Sequence, residues 1–225
     1  MDRLYINRCG NNYLCIVNYS SYASFLCADR LHRYLPLSTK RTSGKLLLRE
    51  MAKVFFVDIF KRTLPNANFR NSSVSHGRNE SVMLVNEDAL IHSVGIDIEF
   101  IEKAKAPRPF ILDYLEKCGG LSGYDTPDNL LCTTIFSCME SLYKALCAIS
   151  MCTFDINDYL LVEHKKRCCV FRYVGKIQKF KERQFICNCY YICRSVLTVV
   201  LLDECLKSVR VDDLLYERMN VRIPG

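Results

Sequence analysis

Between Gly95 and Glu99 the chain reads Gly-Ile-Asp-Ile-Glu, and this alternation constrains the fold more than any other stretch. In an extended segment successive side chains point to opposite faces, so Ile96 and Ile98 share one face while Asp97 and Glu99 share the other. One face is a core face and the other carries two carboxylates. Carboxylates so paired suit a hard cation, because Mg²⁺ is held by one or two of them together with waters and phosphate oxygens. Taken alone, the pattern equally describes a half-solvated strand.

A second stretch bears on that choice. Leu131, Ile135, Leu142, Leu146 and Ile149 recur at helical spacing after Pro127 and Asp128, which predicts a helix capped by Asp128. Glu140 falls about opposite Leu142 around that helix, so Glu140 and Lys144 share the face away from the apolar stripe. By themselves they are an ordinary surface ion pair. They gain meaning only if that face lies against Asp97 and Glu99.

A chain of 225 residues, 50% of them apolar, is long enough for one or two domains with a sizeable core. Lys and Arg number 31 against 24 Asp and Glu, and the net charge of +7 suits an anionic partner. The basic residues are scattered and no nucleic-acid-binding module is visible, so nucleic acid is not an expected partner. No apolar run approaches the ~20 residues needed to span a bilayer. The 14 cysteines contain no Cys-x-x-Cys pair, while Cys187, Cys189 and Cys193 share one face of a period-two segment. With no secretory segment behind Met1-Asp-Arg-Leu, they are expected to be buried thiols in a reducing cytoplasm. Cys168 and Cys169 beside His164 offer soft donors without the spacing of a zinc motif.

Strands are expected over 13–19, 81–85, 93–100, 159–163, 169–174, 185–193 and 196–202. A long helix is expected from Ser38 or Thr39, with Leu47, Leu48, Met51, Val54, Phe55 and Ile59 on one face. Its first turns carry Lys40, Arg41 and Lys45, which oppose the helix dipole unless an anion binds there. Residues 25–34 read as short helical or irregular, 64–71 as loop, 110–117 as a helix stopped by Gly119-Gly120, and 121–128 as a polar loop. From Asp203 the chain reads as a charged peripheral tail.

The pair Gly95-Ile-Asp-Ile-Glu99 and Phe136-Ser-x-x-Glu-Ser-x-x-Lys144 resembles the two signature motifs of the 4′-phosphopantetheinyl transferases, in their surfactin- and enterobactin-type branch. Arg41-Thr-Ser-Gly-Lys-Leu-Leu-Leu-Arg49 is similar to that family's Arg-Thr-x-x-Gly-x-x-Leu-x-Arg segment, and Ser75-His76 to its Ser-His element. Arg30 and Arg33 align with an upstream basic pair after a one-residue gap. The resemblance runs from about Arg30 to Leu202, and departs from the family at Met139, where the family has lysine.

The resemblance implies an α+β fold of two similar subdomains related by pseudo-two-fold symmetry in one chain, here 1–102 and 103–225. It implies a cytoplasmic monomer that moves 4′-phosphopantetheine from coenzyme A to a serine of an acyl or peptidyl carrier protein. Asp97 and Glu99 would hold Mg²⁺, with Glu140 as third ligand or as base, and Lys144 would pair with a phosphate. Arg30, Arg33, Arg41, Thr42, Ser75 and His76 would hold the nucleotide end. The alternative is a relative that binds coenzyme A or a carrier protein without transfer.

Overall fold

A computed structural model describes residues 3–9, 12–18, 71–77, 80–101, 108–119, 129–149, 155–165, 167–192, 194–209 and 218–220. Arg30, Arg33, Arg41, Thr42, the helix expected from Ser38, the Asp128 cap and the loop at 121–128 lie outside the described residues.

The elements run β1 (Arg3–Cys9), β2 (Asn12–Asn18), β3 (Asn71–His76), β4 (Glu80–Asn86), β5 (Ile91–Phe100), α1 (Arg108–Lys117), α2 (Asn129–Ile149), β6 (Tyr159–Lys165), β7 (Cys168–Tyr173), β8 (Gln184–Ile192), β9 (Ser195–Asp203) and β10 (Arg218–Asn220). They form an α+β fold with two antiparallel five-stranded sheets, ordered β10-β1-β2-β4-β3 and β5-β9-β8-β7-β6. β5, from within 1–102, is hydrogen-bonded to β9 as the edge of the second sheet.

β9 shows why the layers stack as they do. Its run Val-Leu-Thr-Val-Val-Leu-Leu is buried throughout, as a strand covered on both faces requires. Leu197, Val199 and Leu201 join Val94, Ile96 and Ile98 of β5 in a core shared with Leu14, Val82 and Leu84 of the first sheet. Val200 and Leu202 face the other way, into a core with α1, α2 and the aromatic side chains of β6 to β8. The alternation expected across β5 is therefore present: isoleucines toward one sheet, Asp97 toward α2.

Among the described residues α2 alone is long and apolar enough to cross a bilayer, but 67% of its most apolar stretch is buried inside the protein. It is a core helix. α1 stops as expected, with Gly119 at φ +89°, where the Cys118 and Gly119 amides bond back into the last turn.

Three strands depart from the sequence expectation. β3 starts at the end of the stretch read as loop and runs to His76, where no strand was expected, β1 was not expected, and β10 lies in the stretch read as a peripheral tail. β10 instead pairs with β1 through Tyr5, Ile6 and Asn7.

Candidate functional site

β5 is an edge strand, and an edge must satisfy its outward backbone groups by other means. Alternate residues of β3 do so here. Asn71 Nδ2 donates to the Ile91 carbonyl at 2.7 Å, and Ser73 Oγ accepts from the Ile96 amide at 3.1 Å. Two residues on, Ser75 Oγ donates to Asp97 Oδ1 at 2.6 Å. A polar seam thus joins the two sheets.

α2 closes the same seam from above. Lys144 Nζ donates to the Ile96 carbonyl at 3.0 Å and to Asp97 Oδ1 at 2.8 Å, while Ser137 Oγ donates to Asp97 Oδ2 at 2.8 Å. Ser141 Oγ donates to the Thr198 carbonyl at 3.0 Å, and Thr198 Oγ1 to the Ser137 carbonyl at 2.8 Å. The helix can approach this closely because residue 95 is glycine. A Cβ there would collide with the Ser141 carbonyl and stand 2.8 Å from the Ala145 nitrogen.

Asp97 is only 3% exposed, yet two hydroxyls and an ammonium satisfy it. Three of the roughly four lone-pair sites of a carboxylate are engaged, leaving one on Oδ2. Glu99 follows on the same strand face and is half-buried; Glu140, also half-buried, lies on α2 between Ser137 and Lys144. Asp97, Glu99 and Glu140 are hard oxygen donors of the type that Mg²⁺ takes, but among the described residues their carboxylate oxygens are not gathered within 4.8 Å of one another as a ligand group.

The structure therefore joins Ser75, Asp97 and Lys144 directly, with Glu99 and Glu140 on the adjoining strand and helix positions. The helix face that carries Lys144 lies against β5, the condition under which that residue gains meaning, and Lys144 pairs with Asp97. Ser75 and His76 point to opposite faces of β3, and His76 Nδ1 bonds to the hydroxyl of its cross-strand neighbour Ser81. Met139 is 4% exposed within the apolar core, so a lysine at that position would have to bring its charge into that core or turn away from it. Ser137 and Ser141 stood in the quoted motif without a role; their spacing of four on a helix was the available signal.

A second cluster lies on the same face of the second sheet. Asp97, Thr198 and Cys189 are successive cross-strand neighbours, as are His164, Cys169 and Cys187. Cys138 descends from α2 onto this surface, its Sγ 3.5 Å from that of Cys189. The sulfurs of Cys138, Cys169 and Cys189 all lie within 4.8 Å of one another. Hydrogen bonds from the Cys138 and Cys169 thiols hold Cys189 well below the usual thiol range, whereas burial pushes Cys138 well above it. No protein-family model matches the chain, and no curated protein matches it as a relative.

Proposed function

We propose that this chain transfers the 4′-phosphopantetheine group of coenzyme A to a serine of an acyl or peptidyl carrier protein, releasing 3′,5′-ADP, as a cytoplasmic monomer. One observation carries the reading: Ser75, Asp97 and Lys144, from three separate stretches that resemble the transferase motifs, meet through hydrogen bonds of 2.6 and 2.8 Å. Group transfer at phosphorus asks chiefly for positioning and charge stabilisation, which a buried, preorganised charge cluster suits.

Asp97, Glu99 and Glu140 would hold Mg²⁺, which when bound neutralises charge on the pyrophosphate of coenzyme A. Where Glu140 is not itself a ligand, it is the base that takes the proton of the carrier serine, directly or through a water. Lys144 exchanges part of its contact with Asp97 for a phosphate oxygen, and Ser137 and Ser75 keep the carboxylate in place while it does so. Arg30, Arg33, Arg41, Thr42, Ser75 and His76 are assigned to the nucleotide end on the resemblance. The net charge of +7 favours an acidic carrier surface.

The burial of Met139 favours a second reading. The family's lysine is missing there, and loss of one preorganised contact to the transferring group costs about 3–4 kcal/mol. A relative that binds coenzyme A without transfer would tolerate that loss.

Incubation with coenzyme A, Mg²⁺ and a panel of apo carrier proteins, followed by intact mass, separates the two. Glu140→Gln is the control of choice, because Asp97 also anchors the fold. A carrier that gains one phosphopantetheine with the wild type, and none with Glu140→Gln or with chelator, supports transfer. Coenzyme A binding by calorimetry with no carrier modified gives the second reading the lead. Absence of binding to both coenzyme A and every carrier protein of the panel removes both readings.

A further inference from the structure

The transfer chemistry leaves the cysteine cluster unused. We infer that Cys138, Cys169 and Cys189 form a binding site for a single thiophilic cation, Zn²⁺ or Cu⁺, which ties α2 to β7 and β8. The three residues come from three elements and are 0%, 0% and 2% exposed. All are free thiols, and a separation of 3.5 Å between Cys138 and Cys189 is well beyond a disulfide bond of ~2.05 Å.

The spacing fits one ion. Four ligands at a Zn–S distance of ~2.3 Å place tetrahedral sulfurs roughly 3.8 Å apart. The observed separations, 3.5 Å for one pair and under 4.8 Å for all, bracket that value. They are too short for sulfurs that straddle a multi-iron cluster. Thiolate donors select Zn²⁺ and Cu⁺ over Mg²⁺, so this site and the carboxylates do not compete for one metal.

A fourth donor is within reach on the same sheet face. Cys187 lies across from Cys169, with its Sγ 3.6 Å from the Cys138 carbonyl oxygen, and His164 lies across from Cys169 on the other side. Each ligating thiol gives up its proton to solvent as its sulfur bonds to the metal, so loading weakens as pH falls. Full burial means that the ion enters as the chain folds, and its binding free energy adds to folding.

The test is metal content by mass spectrometry after expression in Zn²⁺-supplemented and, separately, Cu⁺-loading medium. Wild-type protein is expected to retain one ion per chain of the metal it prefers. Cys189→Ser should weaken metal affinity by more than about tenfold, since loss of even an outer partner of a ligand typically costs that much, and should lower the metal retained against a competing chelator. Cys205→Ser, at an exposed turn, should leave it unchanged. Cys187→Ser and His164→Ala identify the fourth donor.

Should Cys189→Ser fail to fold, refolding the wild type with Co²⁺ decides the matter through thiolate-to-metal charge-transfer absorption. Protein that carries neither Zn²⁺ nor Cu⁺, refolds in chelator to an unchanged Tm and shows no such absorption overturns the inference. So does a Cys138–Cys189 disulfide in the protein as isolated.

Discussion

At the scale of single residues, Asp97 is the charge around which the seam is organised. Among the described residues its partner Lys144 is the only ammonium it contacts, and its other donors there are neutral hydroxyls. Lys144→Met would strand a carboxylate in a nearly dry site, and breaking such a pair from one side costs about 3–5 kcal/mol. Adding Asp97→Asn removes the stranded charge. The double variant should therefore be more stable than Lys144→Met alone by at least about 1 kcal/mol in urea unfolding. Simple additivity of the two losses would show that the pair contributes as two separate hydrogen bonds.

At the scale of elements, β3 explains both what the sequence discloses and what it conceals. β5, α2 and the strands after Ile149 announce themselves by period, because each has an apolar face to bury. β3 reads Asn-Ser-Ser-Val-Ser-His, a composition typical of turns, and is a strand because β4 pairs with it and β5 takes its side-chain hydrogen bonds. Tertiary pairing overrides local preference there. The carboxylates of the site were legible for the same reason that β5 was, while the thiol cluster was not: Cys138, Cys169 and Cys189 converge only once three elements pack.

The seam can be tested at this scale through one amide. Ser73→Ala takes away the partner of the Ile96 N–H without touching the apolar core, at a cost of about 1–3 kcal/mol if the amide stays dry. Amide hydrogen exchange at Ile96 should quicken selectively, with Val94 and Ile98 little changed. Equal acceleration along all of β5 would mean that the two sheets part as wholes rather than at one bond.

At the scale of the molecule, β5 and β9 are held between two cores, one shared with the first sheet and one with the helices. The first sheet ends on β10, whose three residues cover β1. A chain shortened to end at Val209 would expose the edge of β1, and uncovered edges recruit other strands. Such a variant should elute from size exclusion partly as oligomer and scatter more light than the full chain at equal concentration. A strictly monomeric profile would mean that other residues shield that edge.

Gly95 has a consequence that belongs to descent rather than to stability. The helix sits so close to β5 that no side chain fits beneath it, whatever chemistry the neighbouring carboxylates perform. Selection on the fold alone would hold position 95, whatever is selected at Glu99 and Glu140. The glycine would therefore stay fixed in relatives that keep this fold, with or without the proposed transfer.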